Sequence, residues 1–181
     1  IVVTIETTRL LLRRWRSSDA LPFIEMHDPA VMAWLWHKPH NVDDALDYLA
    51  TLEAHFDEEG FGLWAVERLL DGQLIGLSGL RRVSWIDHPR APCVEMVWRQ
   101  RSDVWGQGYA TEAASAALSD GFARCGLAAI FAWTASTNLR SQGVMRRIGM
   151  VHRQALDCNQ PGLVDNHPQR RHLVFWISRP S

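Results

Sequence analysis

The segment of the chain best suited to chemistry is RSDVWGQGYATEA, which runs from Arg101 to Ala113. Its two glycines, Gly106 and Gly108, come directly before an alanine-rich helix predicted from about Tyr109 to Arg124. The first-turn amides of a helix have no partners within the helix, and the helix dipole makes that end positive. Phosphate is their natural ligand, and glycine lets it approach the amides closely. The segment therefore predicts a phosphate site or, alternatively, a tight turn that holds no ligand.

Other common site types fit less well. A dinucleotide fingerprint needs a third glycine where Thr111 stands, and a triphosphate loop needs a Gly-Lys-Ser/Thr ending that this segment lacks. His37 and His40 are spaced like metal ligands, but Pro39 intervenes and the set is incomplete, so we expect no metal. His88 is interpreted as a loop residue.

Composition limits the class of protein further. The 181 residues suit one domain spanning 1–181, and 19 basic against 20 acidic residues leave no basic field for nucleic acid. Apolar runs are too short to cross a membrane. Cys93, Cys125 and Cys158 are odd in number and far apart, which argues against disulfides and zinc and favours a cytoplasmic protein. Nine tryptophans indicate a core rich in aromatic residues or a cleft with aromatic walls.

The predicted elements that position these residues alternate between strands and helices. Their order is β-α-α-β-β-β-α-β-α-β-β, which indicates an α+β fold with a mixed, mostly antiparallel sheet. One crossover helix joins two parallel neighbours. The predicted strands are Thr8–Trp15, Phe61–Leu69, Gln73–Val83, Cys93–Arg99, Leu127–Thr134, Val151–Leu156 and His172–Ile177. Asp71-Gly72 is a hairpin turn signal between the second and third strands, and the nearly all-apolar Leu127–Thr134 is expected to be buried on both faces. The first predicted helix begins near Leu21 and reopens as a short helix at Asp28-Pro29. The others are the amphipathic Val42–Glu59, then Tyr109–Arg124 and Asn138–Ile148, with Gly149 closing the last.

Three segments in this order resemble the GNAT (N-acetyltransferase) superfamily, and within it the branch of the ribosomal-protein N-terminal acetyltransferases. The central one is WGQGYATEA, preceded by EMVW, which is similar to the coenzyme-binding motif. The opening strand TRLLLR, from Thr8 to Arg13, resembles the branch's T-x-R-L-x-L-R. The helix NLRSQGVMRRIGM, from Asn138 to Met150, resembles its N-x-x-S-x-x-V-x-x-x-[IL]-G-[FM].

The resemblance implies a central sheet that splits into a V between its two parallel strands, has helices on both faces, and holds acetyl-CoA in the opening. The strand Met96, Val97 and Trp98 would pair through its backbone with the pantetheine arm, and a β-bulge there would turn amides toward the thioester. Asn138 would contact that arm, cap its helix, or do both. The pyrophosphate would lie on the amides of Trp105, Gly106, Gln107, Gly108, Tyr109, Ala110 and Thr111.

The resemblance also suggests the catalytic groups. Glu95 would be the base that accepts the proton of the amine, with Glu67 the next candidate; alternatively Glu95 is a structural carboxylate paired with Arg81 or Arg82. Many family members carry a tyrosine seven residues after the asparagine, where this chain has Met145. Because a thioether cannot donate a proton, the general-acid role moves to Ser141 or to water.

A second departure from the family pattern is Asp103, which stands where a glutamine or arginine is usual. We expect Asp103 to face solvent, since a carboxylate beside phosphate is unfavourable. The counter-charge is then expected from a nearby arginine: Arg101, Arg140, Arg146 or Arg147.

Together these features predict an acetyl-CoA-dependent N-acetyltransferase in which a primary amine attacks the thioester directly in a ternary complex. The acceptor would be a protein N-terminus or a small-molecule amine, bound around Met32, Trp34, Trp36 and the loop after Val83. The alternative is a non-catalytic sensor or interaction module that binds acyl-CoA. The exposed edges of a split sheet make a homodimer a reasonable expectation.

Overall fold

The computed structural model describes residues 3–84 and 92–181. Asp87, His88 and Pro89 of the predicted loop lie outside the described residues. The strands are β1 (Ile5–Glu6), β2 (Leu10–Arg13), β3 (Leu63–Arg68), β4 (Gln73–Val83), β5 (Cys93–Gln100), β6 (Ala129–Ala135), β7 (Val151–His152), β8 (Cys158–Asn159) and β9 (Arg171–Ser178). The α-helices are α1 (Ala20–Glu25), α2 (Pro29–Met32), α3 (Val42–Glu59), α4 (Tyr109–Ala123) and α5 (Leu139–Arg147).

The strands form one mixed sheet in the order β1-β2-β3-β4-β5-β6-β9-β7, with β8 also pairing with β9. Every pairing among the described strands is antiparallel except β5 with β6, which α4 connects as the crossover helix. The predicted α+β class is therefore confirmed.

Local sequence explains the longest elements. Asn41 caps α3 by accepting a hydrogen bond from the Asp44 amide at 2.9 Å, and Gly60 ends the helix in the left-handed conformation at φ 76°. The observed α3 has the predicted bounds, as does β4. The Asp71-Gly72 turn signal joins β3 and β4 as expected, with Gly72 at φ 68°.

Helices cover both faces of the sheet. On one face α1 and α3 pack on β3 and β4, with Phe23, Leu49 and Leu77 in the shared core. On the other face α4 and α5 pack on β4, β5 and β6, and their small and apolar residues include Ala114, Ala117 and Met145. This two-sided cover confirms the predicted layer arrangement and leaves the sheet buried at its centre.

The two parallel strands separate soon after they meet. A single register pair, Glu95 with Phe131, joins β5 to β6. Beyond it β5 continues to Gln100 and β6 to Ala135 without further pairing between the two strands. The sheet is therefore split into a V whose walls are the carboxyl-terminal halves of β5 and β6.

Some predicted details are wrong. Only Val151–His152 of the predicted strand Val151–Leu156 is extended, because a 3-10 turn over Gln154–Leu156 ends it. The strand β6 alternates between buried and half-buried residues instead of being buried on both faces, since its outer half lines the opening.

The expected β-bulge is also absent from the β4–β5 pairing, which keeps one register from Val83 with Cys93 to Gly76 with Gln100. The irregularity lies in the β3–β4 pairing instead, between Val66 and Glu67.

Candidate active site

The V opens into a cleft of about 820 Å³. Its walls are the diverging ends of β5 and β6, and its rim includes the first turns of α4 and α5 together with the segment that follows α2. Five of the nine tryptophans line it: Trp34, Trp36, Trp98, Trp105 and Trp133. The cleft therefore has aromatic walls.

Most of the residues predicted to bind coenzyme lie around this cleft. Both predicted catalytic residues, Glu95 and Ser141, also line it. The predicted coenzyme-binding residues that line it are Met96, Val97, Trp98, Trp105, Gly106, Gly108, Ala110, Thr111 and Asn138. The side chains of Gln107 and Tyr109 lie elsewhere: Gln107 is exposed and Tyr109 is buried in the core beneath α4.

The amino terminus of α4 opens onto the cleft with no side chain capping it. Gly108 is its N-cap residue at φ 82°, and Gly106 adopts φ 77°. A Cβ on Gly106 would meet no atom within 4 Å, so the backbone conformation, and not a lack of space, calls for glycine there. The uncapped first-turn amides are therefore available to an anion.

A clamp from the β1–β2 connection holds this loop, and sequence reasoning did not identify it. Arg9 donates to the Gln107 carbonyl at 2.9 Å and, through Nε, to Oε2 of Glu112 at 2.7 Å. Glu112 Oε1 accepts from Thr7 Oγ1 at 2.7 Å and from the Arg9 amide at 2.9 Å. The Arg9 guanidinium also lies 4.3 Å from the ring centre of Tyr109. These contacts link the TRLLLR and YATEA segments. The only sequence signal that could have suggested the clamp is the presence of both segments in the chain.

The candidate arginines take different positions. Arg140 stacks over the Trp105 ring at 4.4 Å, Arg147 donates to Thr111 Oγ1 at 3.4 Å, and both line the cleft. Arg101 instead binds Asp103 through two hydrogen bonds of 2.9 and 2.7 Å. Asp103 is exposed, as expected. Arg146 lies over the Phe175 ring, outside the lining of the cleft.

Glu95 is buried, at 6% exposure, where β5 and β6 meet. It lies opposite Arg81 in the β4–β5 register and accepts hydrogen bonds from the Arg81 Nε, at 3.1 Å, and Nη2 atoms. Burial raises the pKa of Glu95 above its ordinary value, and the charge of Arg81 only partly opposes the shift. The other candidate, Glu67, lies away from the cleft lining, in an ion pair with Arg13 at 2.6 Å.

Asn138 and Ser141 begin α5 at the opposite wall. Asn138 Oδ1 accepts from the Ser141 amide at 3.2 Å, so Asn138 caps the helix and lines the cleft at the same time. The Ser141 side chain reaches the cleft one turn into α5. Met145 also lines the cleft but is 1% exposed, and packs in the core with the inner face of α5.

The other end of the cleft is formed by Trp34, Leu35 and Trp36, together with Gln169 and His172 from the opposite side. Met32, expected here, is half-buried and is not part of the lining. Burial lowers the pKa of His172, which favours its neutral form.

Two contacts fix this end of the cleft. Ser102 donates to the Asp28 carboxylate, which joins α2 to the segment after β5. Gln169 donates to the Ala33 carbonyl at 2.6 Å. Because these residues come from α2, the segment after β5 and the β8–β9 connection, sequence spacing alone could not bring them together.

Within residues 3–84 and 92–181, no group of three metal-ligating side chains is close enough to hold an ion. No helix in this part of the chain has the length and apolar character required to cross a membrane.

Residues 9–151 match the family described as "Acetyltransferase (GNAT) domain". The chain therefore belongs to the GNAT family of acetyltransferases. The FsC-acetyl coenzyme A-N(2)-transacetylase of Aspergillus fumigatus is 29% identical over 130 residues, which are 69% of this chain. The match spans 54% of that protein, about half its length.

Two solved structures share the fold over nearly the whole chain. The ribosomal-protein-S5-alanine acetyltransferase of Vibrio fischeri has a TM-score of 0.80 at 16% identity and covers 98% of this chain and 97% of its own. RimJ of Mycobacterium smegmatis in complex with CoA-disulfide has a TM-score of 0.77 at 21% identity, covering 93% of this chain and 81% of its own. The predicted GNAT fold is confirmed, and its structural neighbours include ribosomal-protein acetyltransferases.

Proposed function

We propose that the protein is an N-acetyltransferase that moves the acetyl group of acetyl-CoA to a primary amine by direct attack within the cleft. The observation that carries this proposal is the opening between β5 and β6, which meets the uncapped amino terminus of α4 beside two arginines. One end of the opening suits a diphosphate and its floor suits an extended thioester arm. Family membership supplies acetyl-CoA as the donor.

The coenzyme would bind along one wall. Its pyrophosphate would accept hydrogen bonds from the amides between Trp105 and Thr111, and Arg140 and Arg147 would offset its charge. The pantetheine arm would pair with the edge of β5 over Met96, Val97 and Trp98, which β6 leaves unpaired beyond Glu95. Asn138 would contact the arm from the opposite wall.

Glu95 would act as the base. The lone pair of the amine attacks the thioester carbonyl carbon, and the amine proton passes to the Glu95 carboxylate directly or through water. Because burial raises the pKa of Glu95, its carboxylate is a stronger base than an exposed one. The hydrogen bonds from Arg81 would keep it oriented at the base of the V.

When the tetrahedral intermediate collapses, the C–S bond breaks and the sulfur leaves with the electron pair. Ser141 would donate a proton to that thiolate and regain one from water. Backbone amides on the free edge of β5 would stabilise the oxyanion, an effect typically worth a few kcal/mol per donor.

The acceptor would be an α-amine of a peptide or a small-molecule amine. Two relatives support an amine acceptor, since one is a ribosomal-protein-S5-alanine acetyltransferase and the other is an N(2)-transacetylase. The competing function is a sensor that binds acyl-CoA without turnover. It is favoured by Met145, which lines the cleft where many family members carry a proton-donating tyrosine.

The test measures coenzyme A release with a panel of peptide and small-molecule amines, alongside calorimetric binding of acetyl-CoA. Gly106→Ala should weaken acetyl-CoA binding about tenfold, because the residue must leave φ 77° or bear strain of ~1–2 kcal/mol at the pyrophosphate site. Gly60→Ala is the matched control, since Gly60 has φ 76° and equally open space but ends α3 outside the cleft lining.

Binding without release of coenzyme A on any amine would favour the sensor. Equal effects of the two glycine substitutions on acetyl-CoA binding would overturn the proposed pyrophosphate site.

A further inference from the structure

Arg99 is a cation in the cleft that neither the fold nor the proposed chemistry uses. It lies on β5, two and four residues after Val97 and Glu95, so the three side chains share one face of the strand. Arg99 is only partly exposed and lines the cleft. In the part of the chain that the structure describes, no carboxylate lies within 4.0 Å of its guanidinium.

Its hydrogen-bond partner is the neutral side chain of His27. The Nδ1 atom of His27 lies 2.7 Å from the Phe23 carbonyl, which can only accept, so Nδ1 donates. The Nε2 atom then carries a lone pair and accepts from Arg99 Nη1 at 2.9 Å. Burial lowers the pKa of His27, and the charges of Arg99 and Lys38 lower it further. His27 thus orients the guanidinium without neutralising it.

Two other arginines of the sheet are paired with carboxylates. Arg13, 5% exposed, binds Asp19 through two hydrogen bonds of 2.8 Å, and Arg81 on β4 binds Glu95. Removing an arginine from water without a carboxylate is costly, and burial accordingly lowers the pKa of Arg99. An anion entering the cleft would offset that cost.

The phosphates of the coenzyme are not suited to this role. Arg99 shares its face of β5 with Val97, which packs against the core under α1 and α3. The α4 helix, whose amino terminus is the proposed pyrophosphate site, packs on the other face with Val94 and Met96. The guanidinium therefore belongs to the face of the sheet that α1 and α3 cover, which is also the face of Glu95, the proposed acceptor of the amine proton.

We propose that Arg99 binds an anionic group of the acceptor, so that the acceptor is an amine that also carries a carboxylate or a comparable anion. This inference deepens the proposed function and rests on it. The planar guanidinium can bind a carboxylate through two parallel hydrogen bonds, and Trp34, Leu35 and Trp36 offer an apolar wall to the rest of the acceptor. The carboxylate of a free amino acid satisfies this chemistry, whereas an amine with no acidic group does not.

The experiment compares acceptors that have the same side chain, with and without a carboxylate. Alanine, leucine and phenylalanine are each assayed as the free acid and as the amide, with coenzyme A release as the readout. The wild-type protein should prefer the acid in kcat/KM by about ten- to hundredfold, the range expected for a charge-assisted hydrogen bond. The aminophosphonate analogue of phenylalanine tests whether another anion can replace the carboxylate, and its acceptance would support the assignment.

Substitutions connect the preference to this residue. Arg99→Gln should reduce the ratio of kcat/KM for the acid to kcat/KM for the amide to about one, with little change in the KM for acetyl-CoA. Arg99→Lys should retain part of the preference for the acid. Arg147→Gln, at the coenzyme end, should raise the KM for acetyl-CoA and leave the ratio intact. Melting temperatures of all variants show whether they fold, and Arg99→Lys provides the second test if Arg99→Gln does not.

A binding measurement separates this inference from the proposed function. With coenzyme A present, the N-acetylated acids should quench tryptophan fluorescence at lower concentration than the N-acetylated amides in wild type but not in Arg99→Gln. That result without turnover of any amine would support the anion site and overturn the enzymatic proposal. The anion site would be overturned if turnover or binding showed no preference for the acids. It would also be overturned if the preference survived in Arg99→Gln.

Discussion

At the scale of single residues, the cleft contains carboxylates in contrasting environments. Glu95 is buried with one arginine partner, and burial raises its pKa. Glu112 lies at the rim, where hydrogen bonds from Thr7 and Arg9 lower its pKa despite partial burial. A carboxylate held firmly in its ionised form is a poor proton acceptor, so the environment assigns a structural role to Glu112 and leaves the basic role to Glu95.

We expect Glu95→Gln to lower kcat by about 10²–10⁴-fold, the usual contribution of a general base. The wild-type kcat/KM should fall as pH drops through the raised pKa of Glu95, and this acidic limb should disappear in the variant. Since a carboxyl with a raised pKa in the folded state costs stability once ionised, the substitution should not lower the melting temperature at neutral pH.

Glu67→Gln is the matched control, because Glu67 lies outside the cleft lining in an ion pair with Arg13. If Glu67→Gln lowered kcat as strongly as Glu95→Gln, or if Glu95→Gln kept both its rate and its acidic limb, Glu95 would not be the base.

At the scale of elements, the amino terminus of α4 is positioned from outside its own segment. The β1–β2 connection supplies Arg9 and Thr7, which hold Glu112 and the Gln107 carbonyl. Glu112 is in the first turn of α4, where a carboxylate also interacts favourably with the helix dipole. The clamp therefore fixes the orientation of the amides that the proposed pyrophosphate site uses.

Arg9→Gln should raise the KM for acetyl-CoA by about three- to tenfold, since the loop loses charge-assisted hydrogen bonds that preorganise it. The value of kcat should change little, because the clamp lies at the coenzyme rim. Steady-state kinetics at saturating amine measures both quantities.

Arg124→Gln tests a comparable ion pair at the far end of the same helix, with Asp120 at 2.6 Å. It should leave the KM for acetyl-CoA unchanged. A similar increase in both variants would mean that general loosening of α4, and not the clamp, controls coenzyme binding.

At the scale of the whole molecule, the sheet has two parts that meet at one register pair across the parallel strands. The β1–β5 part carries Glu95 and the anion-binding candidate Arg99, and the β6–β9 part carries Ala135 and His172 on its cleft wall. Both α4 and α5 pack over the junction, in one continuous core. A coenzyme lying in the V would contact both parts and tie them together.

Acetyl-CoA at 100 times its Kd should therefore stabilise the protein by about 2.7 kcal/mol, which corresponds to a rise in melting temperature of about 5–10 °C. Hydrogen exchange should slow most in the outer halves of β5 and β6 and in the first turn of α4. No thermal shift, or protection confined to surfaces away from the V, would contradict binding in the cleft.

Local sequence patterns were enough to predict most of the elements and the family. The amphipathic pattern predicted α3 with its observed bounds, and the Asp71-Gly72 signal predicted the β3–β4 turn, because these features depend on neighbours within a few residues. The glycine segment predicted the open end of α4 for the same reason. Short strands such as β1 and β8 escaped prediction, since two extended residues leave no periodic pattern.

The assembled fold alone establishes which side chains share the cleft and which charges lie beside each of them. Arg9 and Glu112 are 103 residues apart, and Arg99 and His27 are 72 apart, yet each pair is in hydrogen-bond contact. The pairing of Glu95 with Arg81 and the position of Glu67 outside the cleft likewise follow from strand register. Electrostatic interactions depend on distance and burial. Neither quantity is defined until the sheet has assembled, so the order of residues along the chain does not give them.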